Sequence, residues 1–401
     1  MNKQDFKWAP IIPLIGGFPL GAEEALGKPP EFIASYTGFW KNDEHYVNYQ
    51  NETLGRDIRY LNLDEDREFS QKINIIVGTP PCAALSQLNS SQSEDAKGAG
   101  CAKNEWMYQI VYDGVNRFDA DAIIIENAPA LFTSKGEPVA NRLEEIAKEF
   151  GRSISFYKTS THYHGIPQSR DRTFAIIWKL EYAPILDWYR RESKNFGDYL
   201  LEVSNDSIQN DIIMNPNVQT EPYYQFVQYK TGLSDVRQEI LSVGVRTAHL
   251  WVMAKGLLKE CVEWFESQGM DKAVKNAQHA EYKYSLGKSI WDSSTHVTGD
   301  ISHAWVGRNM NHTIHPIEDR SCTIRESLHM MGFPHNFVLV EGLKRYNHIP
   351  QNVPTCTARD IVEEAAQALL GKRELSLSKL VKQNNHTKKI ELKEESINTL
   401  F

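Results

Sequence analysis

Ile73-Asn74-Ile75-Ile76-Val77-Gly78-Thr79-Pro80-Pro81-Cys82-Ala83-Ala84-Leu85-Ser86 is an apolar, β-branched run followed by a stiff turn that ends in a cysteine. An apolar run of this length, closed by Gly and Pro, reads as a buried strand. The carboxyl edge of an open α/β sheet is where ligands and chemistry sit. Two prolines fix φ and donate no backbone hydrogen, so the Cys82 sulfur has a set position. Taken alone, a cysteine after such a turn reads more readily as a buried, inert thiol. Three later stretches weigh the reading toward chemistry.

In the first, Ala122-Ile123-Ile124-Ile125-Glu126-Asn127-Ala128-Pro129, a buried strand ends in a carboxylate and an amide. Beside apolar neighbours Glu126 acquires a raised pKa and suits proton donation. In the second, Gly165-Ile166-Pro167-Gln168-Ser169-Arg170-Asp171-Arg172 runs into the strand Thr173–Trp178. Alternate residues of an extended segment share a face, so Arg170 and Arg172 present two guanidiniums to a phosphate or a base carbonyl. The third runs from Arg320 to Pro334 and reads as a helix closed by Gly332 and Pro334.

Pro80-Pro81-Cys82, Glu126-Asn127-Ala128, Gln168-Ser169-Arg170-Asp171-Arg172 and the Arg325–Pro334 stretch stand in the order found in DNA cytosine carbon-5 methyltransferases, and the chain resembles that family over roughly residues 10–180 and 318–370. The resemblance implies an α/β fold: a Rossmann-like, mostly parallel sheet with an inserted smaller target-recognition domain. The expected division is a catalytic domain at 1–180 and 316–372, a target-recognition domain at 181–315 and a loose charged tail at 373–401. It also implies roles. Cys82 adds to carbon 6 of cytosine, Glu126 acts at ring nitrogen 3, Arg172 binds the base carbonyl, and Arg170 holds the nearby backbone and Glu126. Both arginines are expected to lower the thiol pKa. The implied cofactor is S-adenosyl-L-methionine or a modified derivative, and the implied partner is double-stranded DNA with its target base flipped out.

Composition agrees with this class. The 401 residues suffice for two domains, and 41% hydrophobic with 24% charged residues is ordinary for a globular protein. No apolar run reaches the ~18 residues of a membrane span, and the amino terminus has no signal-peptide pattern. Five scattered cysteines form neither a metal-ligand spacing nor a disulfide framework, which points to a reducing interior. The expected setting is the cytoplasm of a bacterial or phage-infected cell, and the expected state is a monomer. A net charge of −8 argues against indiscriminate coating of nucleic acid but leaves room for a local basic cleft.

Along the chain, Pro10 to Gly27 reads as strand, glycine turn and helix. The family pattern Phe-x-Gly-x-Gly-Gly falls on Ile12, Leu14, Gly16 and Gly17, so one aromatic and one glycine are missing. Ile12, Ile15, Gly16 and Gly17 are the expected cofactor turn; a simple tight turn is the alternative. After the strand Glu31–Tyr36 the family carries an acid for the ribose hydroxyls. Here Thr37 or Phe39 stands in its place, followed by Trp40, a candidate to stack on adenine or equally a packing anchor. Asp43 or Glu44 substitutes for the acid only if the loop is rebuilt. Gly55-Arg56-Asp57-Ile58 resembles the family's Gly-Asp-Ile, which makes Asp57 and Ile58 candidates for the adenine. Pro80 and Asn352, the latter in Pro350-Gln351-Asn352-Val353, complete the expected cofactor set.

Residues 87–100 are polar and Ser/Gly-rich, and read as a lid beside Cys82 or a plain solvated loop. A helix is expected over Ala248–Ser267 in the recognition region, where Arg246, His249, Lys283 and Lys288 are candidates for DNA contact or merely solvated groups. A helix over Ala358–Leu370 should return to pack on the first strand. Two other classes stay open. One is a carbon-5 modifying enzyme that transfers a group other than methyl from an altered cofactor. The other is a catalytically silent DNA-binding homologue.

Overall fold

A computed structural model describes residues 2–82, 84, 85, 98, 100–287, 295–306 and 310–392. The backbone divides into two compact units. One comprises residues 1–193, 330–340 and 351–401, and the other comprises 194–329 and 341–350.

The larger unit is built on a nine-stranded sheet. Its strands are β1 (Trp8–Ile11), β2 (Ile33–Ser35), β3 (Tyr60–Asn62), β4 (Ile75–Gly78), β5 (Ala122–Asn127), β6 (Ser153–Ser160), β7 (Asp171–Trp178), β8 (Leu380–Asn384) and β9 (Lys389–Leu392). They lie in the order β9-β8-β6-β7-β5-β4-β1-β2-β3. β1 to β5 are mutually parallel, whereas β7 runs antiparallel to both β5 and β6. The expected mostly parallel α/β sheet is therefore present, with β7 as its reversed strand.

Helices that cover this sheet include α1 (Gly17–Leu26), α2 (Trp40–Asn48), α3 (Glu105–Asn116) and α4 (Glu137–Glu149). The central strands β1, β4 and β5 are apolar along almost their whole length and buried because both faces are covered. Ile75, Val77, Ala122 and Ile124 pack with Phe18, Ala22 and Leu26 of α1. The alternate residues Ile76, Ile123 and Ile125 pack with Ile110 and Val111 of α3 and Leu143 and Ile146 of α4. This two-residue alternation is what a pleated strand imposes.

The smaller unit is helical. It holds α5 (Phe196–Leu200), α6 (Pro222–Thr231), α7 (Arg237–Ser242), α8 (Ala248–Ala254), α9 (Leu258–Ser267), α10 (Asp271–Ser285) and α11 (Ile324–His329). Its core joins Tyr224, Phe226, Ile240, Trp251, Phe265 and Ala277. The single helix expected over Ala248–Ser267 is two, because Gly256 adopts φ +70°, which ends α8. The helix expected from Arg320 is confined to α11. It starts at a reciprocal cap, in which Thr323 N donates to Glu326 and Glu326 N donates to the Thr323 hydroxyl.

The final helix of the larger unit, α12 (Thr355–Leu369), lies along α1 rather than on the first strand alone. A Cβ on Gly21 would collide with Thr355 O, Ala358 Cβ and Arg359 N, so the two helix backbones nearly touch. Within the segment read as a loose tail, residues 380–384 and 389–392 form β8 and β9 of the sheet. Leu380 and Val381 are buried, the Gln383 amide bridges the backbone of Leu186, and Asn385 Nδ2 donates to the Thr159 hydroxyl at 2.8 Å. The strand is hard to read from the sequence because it is short and its polar Lys382, Gln383 and Asn384 follow only two apolar residues.

Candidate active site

β4 and β5 are parallel neighbours, with Gly78 opposite Ile125. Their carboxyl ends deliver Cys82 and Glu126 to the same edge of the sheet. β7 returns antiparallel beside β5, pairing Asn127 with Thr173, so its first residues reach that same edge. Arg172 Nε lies 2.5 Å from Glu126 Oε1, and the Arg172 Nη1 donates to the Asp171 carbonyl at 2.7 Å. Arg170 is fully buried and donates to the backbone carbonyl of Asn352 at 2.8 Å. The structure thus brings together Cys82, Glu126, Arg170 and Arg172, the four residues expected to carry the chemistry.

Electrostatics among them oppose one another. Burial raises the Glu126 carboxyl above its ordinary range, and the Arg172 and Arg170 charges pull it back. Burial also raises the Cys82 thiol, the Glu126 charge adds to the rise, and Arg172 and Arg170 lower it. The expectation that the arginines would depress the thiol therefore holds only for their own contribution. In this protein desolvation and the neighbouring carboxylate outweigh them. Cys82 is half-buried, enough to desolvate its sulfur, whereas Cys101, Cys261, Cys322 and Cys356 are buried.

The expected cofactor residues are partly brought together. Gly16 takes φ +113°, and a Cβ there would strike the Tyr46 ring. Gly17 N donates to Asn352 Oδ1 at 3.1 Å, and a Cβ on Gly17 would strike the carbonyl of Val353. The turn and Asn352 are therefore one interlocked piece, and through the Asn352 carbonyl they reach Arg170. Ile12, Ile15, Gly16, Gly17 and Pro80 are all buried. Trp40 opens α2 at the carboxyl end of β2, is 46% exposed and meets Tyr60 edge-on at 5.0 Å.

Asp57 and Ile58 stand elsewhere. They precede β3 and so lie at its amino end, where Ile58 is bonded through both its backbone N and O to the Asn51 side chain. The residues at the carboxyl end of β3 are Asn62 and Asp64. Asp64 accepts from Thr37 N at 2.8 Å, and Asn62 Nδ2 donates to the Thr37 hydroxyl at 3.2 Å. Asp64 also lines a cavity of about 560 Å³ with Lys103, Glu105, Trp106 and Tyr108 at the start of α3. Sequence reasoning passed over Asp64 and Trp106. The alternation Tyr60-Leu61-Asn62-Leu63 was the available signal for a strand ending beside Asp64.

Of the candidates for DNA contact, Arg246 is exposed and Lys283 half-buried, while Lys288 lies outside the described residues. His249 is buried and stacks on Tyr223 at 4.5 Å, which makes it a core residue of the helical unit. Most of the loop expected as a lid, residues 86–97 and 99, also lies outside the described residues.

The sequence profile of the C-5 cytosine-specific DNA methylases matches residues 11–367. The chain belongs to that family. Membership makes it a DNA cytosine methyltransferase. Among relatives, it is 22% identical over 320 residues to the type II methyltransferase M.Bpa9945I of Bacillus paralicheniformis, covering 70% of this chain and 67% of that one. It is 22% identical over 306 residues to M.MJ0563P of Methanocaldococcus jannaschii, named as a type II methyltransferase, covering 75% and 79%. A solved structure described as a DNA modification methyltransferase encoded within a prophage (E. coli) superposes with a TM-score of 0.55 at 16% identity, over 91% of this chain and all of that one. The Entamoeba histolytica methyltransferase EhMeth superposes with 0.51 at 14% identity, over 91% and 98%. These likenesses show the fold of this methylase family. Among the described residues no helix is long and apolar enough to cross a membrane, and no group of three His, Cys, Asp or Glu is placed to hold a metal ion.

Proposed function

We propose that the chain methylates carbon 5 of a cytosine flipped out of double-stranded DNA, with Cys82 as the covalent nucleophile. The observation that carries this is the meeting of Cys82, Glu126 and Arg172 at one sheet edge from three different strands.

Carbon 5 of cytosine is too weak a nucleophile to accept an alkyl group directly. Addition of the Cys82 sulfur to carbon 6 forms an S–C6 bond and moves the C5–C6 electron pair onto carbon 5. Glu126, its carboxyl raised by burial, donates a proton or hydrogen bond to ring nitrogen 3 as charge builds there. Arg172 is held by Glu126 and orients the base through its carbonyl oxygen. After alkylation a water takes the carbon-5 proton, the C–H electron pair re-forms the C5–C6 double bond, and the S–C6 pair returns to sulfur, which regenerates Cys82. The Cys82 thiol passes its proton to solvent as the S–C6 bond forms, and the Arg172 and Arg170 charges favour the thiolate.

S-adenosyl-L-methionine is the proposed cofactor, and when bound it supplies an electrophilic methyl group. Its fit is argued from the donor set of the cavity at the carboxyl end of β3. The Asp64 carboxylate suits sugar hydroxyls and the Trp106 indole suits a purine. Trp40 stands at the neighbouring strand end, half exposed. Gly16, Gly17 and Asn352 serve by shaping the turn, since the Gly17 N–H is already taken by Asn352. The helical unit at residues 194–329 is proposed as the target-recognition domain, with Arg246 among its DNA-facing groups. The cell interior and a monomeric state complete the proposal.

Mass spectrometry of nucleosides from a DNA duplex incubated with the protein and S-adenosylmethionine tests this reading. 5-Methylcytosine, absent with Cys82→Ser, is the expected result. A different carbon-5 adduct formed in cells would favour transfer of another group. No modified cytosine under any donor would overturn the proposal in favour of a silent binder.

A further inference from the structure

Residues 63–74 join β3 to β4 without a helix or strand of their own. Asp64, the carboxylate proposed for the cofactor's sugar, is exposed on this stretch. A connection of this length has conformational freedom to lose, and a carboxylate on it keeps its aim only if the backbone around it is fixed.

One side chain does most of the fixing. Arg117, at the carboxyl end of α3, donates from Nη1 to the Leu63 carbonyl at 3.1 Å, from Nη2 to the Asp66 carbonyl and from Nε to the Phe69 carbonyl at 3.2 Å. The first two of these carbonyls bracket Asp64. Its guanidinium lies 3.6 Å from Asp113, and both side chains are largely buried. Asp113 Oδ2 accepts from the Tyr36 hydroxyl at 2.7 Å and from Gln109 Nε2 at 3.0 Å. Tyr36 precedes Thr37, whose N–H donates to Asp64, and its ring packs on the Trp106 ring at 4.9 Å. Both supports of Asp64 therefore run back to Asp113, and the same network touches Trp106, the other residue proposed for the cofactor in that cavity. Neither Arg117 nor Asp113 lines the cavity itself.

We infer that Arg117 is a positioning residue for cofactor binding: it clamps the loop after β3 through three backbone carbonyls and so keeps Asp64 aimed into the cavity beside Trp106. The inference rests on the proposal that this cavity takes S-adenosylmethionine. A planar guanidinium suits the task because its rigid fork serves several carbonyls at once, which the point charge of a lysine does not.

A double-mutant cycle on the full chain tests it, by titration calorimetry with S-adenosylhomocysteine at a temperature where each variant is folded. Arg117→Ala should weaken binding by about tenfold, the scale of one charge-assisted hydrogen bond lost. In an Asp64→Ala background the loop has no carboxylate left to aim, so Arg117→Ala should change binding by less than about twofold. Arg117→Lys separates positioning from folding. It keeps a counter-charge for Asp113 but cannot span three carbonyls, so it should bind S-adenosylhomocysteine several-fold more weakly while duplex DNA binding stays within about twofold of native. It also carries the cycle if Arg117→Ala fails to fold. Equal losses in the native and Asp64→Ala backgrounds, or a parallel loss of DNA binding, would overturn the inference. Should the native protein bind no S-adenosylhomocysteine, the cofactor reading falls by itself. Amide hydrogen exchange then decides the clamp, and exchange from Leu63 to Phe69 no faster in Arg117→Lys than in the native chain refutes it.

Discussion

Replacing Glu126 with Gln should move two properties of Cys82 in opposite directions. Glu126 is 1% exposed and sits 2.5 Å from Arg172, with buried Arg170 close by. Its charge is one of two causes that raise the thiol, and the two arginines are the opposing cause. Glu126→Gln removes the first and leaves the second, so the thiol pKa should fall. Each unit of fall multiplies the thiolate fraction near neutral pH by about ten. Intrinsic nucleophilicity drops by about 0.4–0.5 of a logarithmic unit per unit of pKa, which leaves roughly a three- to fourfold faster alkylation per unit. Methyl transfer should go the other way, by ~10²–10⁴-fold, because the group that serves ring nitrogen 3 is lost. Two guanidiniums left without a buried counter-charge should also destabilise the fold by about 3 kcal/mol, the lower end for breaking a buried pair, since Gln keeps an acceptor. The assay is iodoacetamide labelling of Cys82 at pH 7.5, followed by peptide mass spectrometry, alongside methylation of a cytosine-containing duplex. Slower labelling of Cys82 with methylation intact would refute both the electrostatics and the role.

Three further outcomes are expected. Cys82→Ser should abolish turnover with little change in unfolding midpoint, and a 5-fluorocytosine duplex should trap only the native protein; trapping at Cys101 or Cys322 would reassign the nucleophile. Gly21→Leu should destabilise by at least ~1–3 kcal/mol in urea unfolding, because its Cβ would meet the backbone of α12; a neutral effect would show that α1 and α12 can separate freely. Asp43 binds its proton more tightly when folded, up to about 7 against an ordinary 3.8, so its contribution to stability is fully present below pH 4 and is lost as pH rises toward 7. Urea midpoints measured between pH 4.5 and 7.5 should therefore fall less steeply with pH in Asp43→Asn than in the native chain, and equal slopes would contradict the titration.

What the sequence alone determined lies in features set by neighbours along the chain. The β-branched run before Pro80 and Pro81, the run before Glu126 and the turn before α1 each declare a strand end or helix start, because periodicity, proline φ and glycine are local properties. That was enough to place Cys82 and Glu126 at a sheet edge, and Arg170 with Arg172 on one extended segment. Tertiary structure alone decided the rest. The reversed insertion of β7 brings Arg172 onto Glu126 through a pairing that spans 46 residues of register, from Asn127 to Thr173. The strand at Leu380–Asn384 forms because Val381 and Gln383 find partners near residues 154–157 and 186, which no local pattern announces. Asp57 was misplaced because a Gly-x-Asp-Ile stretch reads alike before or after a strand, and only the pairing of β2 with β3 shows which end it occupies. The direction of the Cys82 shift likewise depends on how far desolvation outweighs two arginines. That balance is a property of the folded environment and of no residue in it.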